Sequence, residues 1–311
     1  MTSPITQIIP REYPGNINDI IRFFRETLEE MVNYGSHIFS WDLQNDKTVR
    51  HEESIAPIMS FRHFLDILDS ISILADKASG DTSKILLRSA YETCLGLEYM
   101  IKEDSENRAL AFFVSDIIRQ IDVIKSLNTA TPEGSTLNNV LKEEIGVDTG
   151  VLNEKSDLNK RLSDKESLLN KEKLRPAYEQ YILLKQRRVR HPAWYQYFNG
   201  PSSIYQMAKL LGRSGEYKLL YSRWSGAVHG SDIYLGKMEQ AKTKGQVDIV
   251  QLRYFGDLQE VVKYAAIFTL RTFTLYVDAR TPEKKTLYQK WYLDFRERFQ
   301  ILIRQNLIEA V

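Results

Sequence analysis

The chain has 311 residues, of which 43% are hydrophobic and 27% charged, a composition typical of globular proteins rather than of disordered ones. The formal net charge is +1, so the chain as a whole has no electrostatic preference for nucleic acid or for an anionic membrane. The sequence has no apolar run of membrane-spanning length and no signal-peptide pattern at its start, and its single cysteine, Cys94, excludes an internal disulfide. We therefore expect a cytoplasmic protein with no membrane partner.

Apolar residues recur at spacings of three and four along most of the chain, which predicts an all-α multi-helix bundle. The predicted helices cover about residues 16–34, 54–77, 82–102, 105–127, 155–190, 203–211 and 215–235, and two long helices follow. Residues 128–158 have weak periodicity and are predicted to form a long flexible excursion, with one short helix near 137–144. The run Val247, Ile249 and Leu252 fits a short strand or an extended loop. Together these patterns predict a single helical domain over 1–311, with its core at about 55–235 and a C-terminal helical hairpin at 254–311.

Several common catalytic motifs are absent from the sequence: a Gly-rich phosphate loop, a dinucleotide fingerprint, a Gly-x-Ser-x-Gly elbow and a His-Glu-x-x-His pair. The five histidines are scattered along the chain. We therefore expect no metal and no cofactor, and an enzyme of this sequence would work with acid–base and electrostatic groups alone.

Two predicted helices carry most of the polar residues that could support chemistry. Arg88 and Glu92 lie four residues apart on the side of the 82–102 helix opposite its wide apolar face. Tyr221, Ser225 and His229 fall on one face of the 215–235 helix, and histidine is the side chain best suited to proton transfer near neutral pH. Each group also has a structural interpretation: Arg88 and Glu92 as an ion pair, and His229 as a core histidine at a close helix crossing.

The order of these residues resembles a bacterial all-helical family known only as a domain of unknown function. The resemblance covers about residues 55–235 and is carried by Arg88-x-x-x-Glu92, Trp194 and the pattern Tyr217-x-x-x-Tyr221-x-x-x-Ser225-x-x-x-His229-Gly-Ser. That family has been connected with the HEPN proteins, many of which are metal-independent endoribonucleases of toxin and phage-defence systems. The resemblance implies a HEPN-like core with extra N- and C-terminal helices, and a site completed across a homodimer.

The HEPN motif is an arginine followed by four to six residues and a histidine, which Arg223-x-x-x-x-x-His229 matches. On a straight helix these two side chains would lie about 120° apart, so the match requires either a break at Gly226 or an arginine that lies just before the helix. The resemblance implies that His229 is the general base or acid, that Arg88 or Arg223 stabilises charge on phosphorus, that Glu92 orients a neighbour, and that Ser225 fixes the imidazole tautomer. Tyr221 completes the predicted active-site residues.

A basic segment precedes a joint rich in aromatic residues. Residues 155–190 hold 11 Lys/Arg against 5 Asp/Glu, and Arg187, Arg188 and Arg190 are followed closely by Trp194. Cations beside rings suit a phosphate backbone and stacked bases, so these four residues are predicted to bind RNA. The alternative is a helix end with favourable cations, followed by aromatic residues that hold a turn against the core.

Two functions from different classes follow from these patterns. The first is a HEPN-like, metal-independent endoribonuclease effector of a bacterial toxin or antiviral defence system, acting as a homodimer and controlled by a regulatory protein partner. The second is a non-enzymatic helical sensor or adaptor that binds a partner protein, nucleic acid or a small ligand through the same polar cluster.

Overall fold

The computed structural model describes residues 9–45, 52–151, 157–229, 237–240 and 246–308, and within them the chain is almost entirely helical. The first seven α-helices are α1 (Ile17–Asn45), α2 (Glu52–Asp76), α3 (Gly80–Lys102), α4 (Ser105–Leu127), α5 (Pro132–Ile145), α6 (Leu158–Leu169) and α7 (Arg175–Gln186). After a 3-10 helix (Trp194–Asn199) come α8 (Ile204–Leu210), a single turn (Ser214–Glu216), a π-helical turn (Tyr217–Tyr221) and α9 (Ser222–His229). The last two helices are α10 (Leu258–Arg280) and α11 (Lys285–Arg304), with a 3-10 turn (Pro282–Lys284) before α11. The predicted all-α class is confirmed.

The only described strands are two short ones, which form an antiparallel hairpin. They are β1 (Met238–Gln240) and β2 (Val247–Ile249), with Met238 opposite Ile249. The strand interpretation of Val247 and Ile249 is therefore correct, whereas Leu252 lies beyond the strand. A hairpin with three residues per strand buries too little surface to be stable by itself, so it is a minor element of a helical fold.

Helix α1 is longer than its sequence pattern predicted. We expected it to end near Tyr34, but it continues to Asn45 because its buried face extends through Ile38 and Asp42. Gly35 lies within this helix, where a Cβ atom would come within 2.7 Å of the Phe273 ring. The glycine therefore permits close packing of α1 against α10 and does not end the helix.

Contacts group the described residues into two compact units, whereas the sequence pattern predicted a single helical domain. The first unit comprises α1, α2 from Pro57 onward, α3 and all described elements from α8 to α11. The second comprises α4 to α7, the 3-10 helix Trp194–Asn199 and residues 52–56. The predicted C-terminal hairpin corresponds to α10 and α11, which belong to the first unit.

Helix α10 is the centre of the first unit. It is apolar on most of its circumference, which is the pattern of a helix surrounded by others, and it packs against α3 and α1. Phe61 of α2 stacks on Tyr276 of α10, with ring centroids 4.1 Å apart. Trp224 of α9 packs edge-on against Phe268 and Tyr264 of the same helix. Burying rings of this size contributes about 2–3 kcal/mol each, so α10 holds the positions of α3 and α9.

The second unit is organised around α4. The apolar face of α4 meets α6, α7 and the 3-10 helix in a core that includes Val114, Leu169, Ala177 and Tyr197. The segment 128–158, which we predicted to be a long excursion with one short helix, contains the longer helix α5. The Thr131 side chain caps that helix by accepting a hydrogen bond from the Gly134 backbone N–H, and Pro132 occupies the first helical position.

None of the helices in the described ranges is both long enough and apolar enough to cross a membrane.

Candidate active site

Arg88 is the centre of a polar cluster in the first unit. Its Nε atom donates to Glu92 Oε1 at 3.2 Å, one turn further along α3. Its Nη1 atom donates to Ser225 Oγ at 3.0 Å, and its Nη2 atom donates to the Tyr221 hydroxyl at 2.7 Å. Each nitrogen of the guanidinium therefore has a protein acceptor, and two of these bonds join α3 to the segment 217–229.

Tyrosine rings surround the guanidinium. The Cζ atom of Arg88 lies 4.4 Å from the centroid of the Tyr221 ring, within the range of a cation–π contact. Tyr217 stacks on Tyr221 with centroids 4.6 Å apart, and Tyr205 packs against Tyr217. Tyr217 and Tyr221 are the first and last residues of the π-helical turn, and such turns are frequent at functional sites.

Both sides of the Arg88–Tyr221 bond have perturbed pKa values. Burial by itself would lower the pKa of Arg88, but the Tyr221 hydroxyl and the Glu92 carboxylate raise it, and the net pKa lies above its ordinary value. Burial also raises the pKa of Tyr221, with Arg88 opposing and Glu92 reinforcing that shift. At neutral pH the cluster therefore holds a charged guanidinium and a neutral phenol. The side chain of Glu92 is 39% exposed.

Arg223 does not join this cluster. Its Nη1 atom lies 2.8 Å from Glu260 Oε1 of α10, and its side chain is 46% exposed. The next residue, Trp224, is buried against α10. Because α9 is helical at this point, the side chain of Arg223 is directed away from the face that carries Ser225. Of the two arginines that the sequence offered for charge stabilisation, Arg88 is the one placed beside Ser225.

His229 is the last residue of α9, and its backbone lies one turn beyond Ser225. The side chain of His229 lies outside the described residues. The predicted Gly230-Ser231 continuation of the motif also lies outside them.

A second ionic network, which sequence reasoning missed, positions the segment that carries Tyr221. Glu216 accepts two hydrogen bonds from Arg271 Nη1 of α10, at 2.7 and 2.9 Å. Arg213 Nη2 lies 3.4 Å from Glu98 of α3, whose side chain is 7% exposed. Glu98 gave a usable signal, since it is a lone charge within the apolar run 95–100. Glu216 and Arg271 gave none, because they are distant in sequence.

The predicted RNA-binding residues lie in the second unit. Arg187, Arg188 and Arg190 are exposed at and after the end of α7, and Arg188 occupies a turn with φ of 64°. Trp194 is partly buried, with its ring packed edge-on against Phe112 of α4 at 5.4 Å. The three arginines are therefore accessible to a phosphate backbone, whereas the ring of Trp194 already packs against Phe112 within the unit.

Comparison with known proteins gives one family. A model described as "Family of unknown function (DUF5677)" matches residues 55–243, which is more than half of the chain. No curated protein and no solved structure matches the chain. Within the described residues, no group of three or more His, Cys, Asp and Glu side chains is placed to hold a metal ion.

Proposed function

The chain belongs to the family of unknown function DUF5677, and on that premise we propose that it is a HEPN-like, metal-independent endoribonuclease whose active site is built around Arg88 and His229. The observation that carries the proposal is the pair of hydrogen bonds from Arg88 to Tyr221 and Ser225. These bonds attach a charged guanidinium to the helical segment that ends at His229. A cation and a histidine on this segment supply charge stabilisation and a proton acceptor, two of the groups that RNA cleavage without a metal uses.

The proposed reaction is an in-line transfer at phosphorus. His229 takes the proton of a ribose 2′-hydroxyl, and the 2′-oxygen then forms a bond to the adjacent phosphorus. The bond from phosphorus to the 5′-oxygen of the next nucleotide breaks, water donates a proton to that oxygen as it leaves, and His229 releases its proton to solvent. The products are a 2′,3′-cyclic phosphate and a 5′-hydroxyl end, and no metal or oxidant is consumed.

Arg88 stabilises the negative charge that develops on the phosphoryl oxygens. Three of its five N–H groups are engaged with Glu92, Ser225 and Tyr221, which leaves two to face a phosphate. Glu92 and Tyr221 act as positioning residues, because they hold the guanidinium and keep it charged. Ser225 lies one turn before His229 and orients the imidazole. Arg223 has no part in this step, since it is paired with Glu260.

The wider setting is part of the same proposal. RNA is held along the exposed cations Arg187, Arg188 and Arg190 of the second unit, with Trp194 bordering them. A homodimer brings two active sites together, and a regulatory protein partner keeps the enzyme inactive until it is needed. The protein acts in the bacterial cytoplasm as a toxin or an antiviral effector.

A second candidate function, a non-enzymatic sensor or adaptor, is favoured by a different feature of the same cluster. All three nitrogens of Arg88 already have acceptors within the protein, which is the arrangement of a satisfied structural network. In this alternative the cluster fixes the position of α9 against α3, and binding of a partner or ligand is the output.

The decisive experiment compares three forms of the protein expressed in bacteria: wild type, His229→Ala and the control His63→Ala, which removes an exposed histidine of α2. We expect slowed growth and fragmented RNA with wild type and His63→Ala, and neither with His229→Ala. Purified protein should cleave RNA equally well with and without EDTA. If the purified His229→Ala variant cleaves like wild type, the ribonuclease proposal is wrong. If no form cleaves RNA and His229→Ala lowers the melting temperature, the adaptor is the better description.

A further inference from the structure

A cavity of about 400 Å³ in the second unit combines cations, rings and a carboxylate. It lies between α4, the end of α7 and the residues that follow α7 as far as the 3-10 helix. Its lining is Ser115, Ile118, Arg119, Asp122, Tyr181, Lys185, Arg190, His191, Pro192 and Tyr197. Its volume falls within the range of small-molecule sites. It consists of residues of the second unit alone, so it is separate from the Arg88 cluster of the first.

The charge of this cavity is predominantly positive. Arg190 has no ion-pair partner among the described residues, and Lys185 donates to the backbone carbonyl of Arg190 at 3.0 Å, not to a carboxylate. Arg119 is paired with Asp116 on its own helix, but its side chain is 72% exposed. Asp122 is the acidic residue of the lining. A cavity with an excess of cations and an imidazole favours an anionic ligand.

The remaining walls can accommodate a ring. Tyr181 stacks with Tyr178 on α7, and its centroid lies 6.4 Å from that of Tyr197. Tyr197 is only 3% exposed, and its hydroxyl lies near Ser115 without meeting it in hydrogen-bond geometry. A buried hydroxyl with an unused hydrogen bond is unfavourable unless a ligand or water satisfies it.

Local hydrogen bonds order the chain that forms one wall of the cavity. Arg188 turns the chain at the end of α7 with φ of 64°, and the Lys185–Arg190 bond closes that turn. Pro192 follows directly after His191 and restricts the backbone there. Arg190 and His191 line the cavity together with Lys185.

We propose that this cavity binds a nucleoside monophosphate, either free or as the phosphorylated end of an RNA chain. The phosphate lies against Arg119, Lys185 and Arg190, because a dianion needs more than one cation to be desolvated. The base packs against Tyr181, and Asp122 accepts a hydrogen bond from a ribose hydroxyl. The site shares Arg190 with the RNA-binding surface of the proposed function, on which the inference rests to that extent, but it contains no residue of the Arg88 cluster.

The test is calorimetric titration of the full chain with the four nucleoside 5′-monophosphates, the matching nucleosides and inorganic phosphate. We expect at least one monophosphate to bind roughly tenfold or more tightly than both its nucleoside and inorganic phosphate. Arg190→Ala and Arg119→Ala should each weaken that binding by roughly tenfold, since each removes one cation. The matched control is Arg175→Ala, which removes an exposed arginine of α7 in the same unit that does not line the cavity.

Two further measurements distinguish a free nucleotide from an RNA end and show whether a loss of binding is due to misfolding. A short oligoribonucleotide with a 5′-phosphate is compared with its 5′-hydroxyl form, so that tighter binding of the phosphorylated form identifies an RNA end and equal binding identifies the free nucleotide. Tyr181→Leu should weaken nucleotide binding and leave phosphate binding unchanged, which a globally unfolded variant would not do. The proposal is overturned if no monophosphate exceeds its nucleoside, or if Arg175→Ala is as damaging as Arg190→Ala. Because His229→Ala should bind the nucleotide normally, loss of cleavage and loss of this site are distinguishable.

Discussion

The bond between Arg88 and Tyr221 can be measured by a double-mutant cycle. Tyr221→Phe removes only the hydroxyl that accepts from Arg88 Nη2 at 2.7 Å, and it keeps the ring that lies against the guanidinium. Arg88→Met removes the donor while keeping much of the apolar stem. The cycle therefore isolates one contact between α3 and the π-helical turn.

The expected magnitude follows from the burial of the two groups. A hydrogen bond to a charged group contributes about 1.5–3 kcal/mol to stability. Arg88 is 16% exposed and its partner Glu92 is 39% exposed, so water is near and the lower end applies. We expect Tyr221→Phe to cost about 1.5 kcal/mol and Arg88→Met, which also loses the Ser225 bond, about 2–3 kcal/mol. In the Arg88→Met background Tyr221→Phe should cost little, which gives a coupling of about 1 kcal/mol.

The assay is urea and thermal unfolding of the four proteins, followed by far-UV circular dichroism. For a chain of this size 1 kcal/mol corresponds to a melting-temperature shift of about 2 °C. Tyr178→Phe serves as the matched control, because Tyr178 is partly buried in the second unit and its ring contact with Tyr181 survives the change. Additivity of the two changes to within about 0.5 kcal/mol would refute the reasoning, since it would mean that the two side chains do not interact.

Two further predictions concern buried groups outside the candidate active site. Burial raises the pKa of the Cys94 thiol to about 11, partly offset by Arg271, so native protein should resist a thiol reagent at pH 8 and react fully once unfolded. The unfolded thiol ionises near pH 8.5, so the buried thiol contributes to the free energy of unfolding below that pH, and this contribution is lost as the pH rises towards 11. If Cys94 still resisted the reagent in urea-unfolded protein, burial would not be the cause of its protection. Asp42 is 3% exposed and accepts from Tyr276 and Arg280. Asp42→Ala leaves the buried Tyr276 hydroxyl and the partly buried Arg280 without this partner, so it should cost about 3 kcal/mol in urea unfolding. A loss below about 1 kcal/mol would show that the pair is solvated.

Local periodicity was sufficient to predict most of the helices, because burial of one face leaves a trace at spacings of three and four. It failed after Tyr34, where the polar and mixed composition of residues 35–53 suggested a connection. Gly35 within this helix is explained by the side chains of Leu65 of α2 and Phe273 of α10, which leave no room for a Cβ atom. The close approach of helices depends on tertiary packing, so the sequence immediately around Gly35 does not predict it.

Part of the candidate active site could likewise be predicted from the sequence, and part of it could not. The spacing of Arg88 and Glu92, and that of Tyr221 and Ser225, identified two polar faces, and the structure brings these faces together. The spacing indicated that Arg223 and His229 diverge on a straight helix, but it could not identify the partner of Arg223, which is Glu260 of a distant helix.

In the second unit the basic segment drew attention to Arg190. It could not predict that Arg119 of α4 lies beside Arg190 at one cavity, because the two residues are seventy-one positions apart in sequence. A count of charges along the chain identifies a basic segment, but only the folded structure shows which of its residues line a cavity.

The π-helical turn Tyr217–Tyr221 also has a consequence for comparing this chain with its relatives. A π turn forms when about one extra residue is accommodated in an α-helix while the flanking turns keep their hydrogen bonding. A relative that lacks one residue between these tyrosines would show a gap of one position in an alignment and would retain the helix on either side. Its two tyrosines could not both occupy the present stack. Counting the residues between the two tyrosines would therefore divide homologous chains into two groups before any of their structures is known. Chains of one group can form the stack of Tyr217 and Tyr221 beside Arg88, and chains of the other cannot.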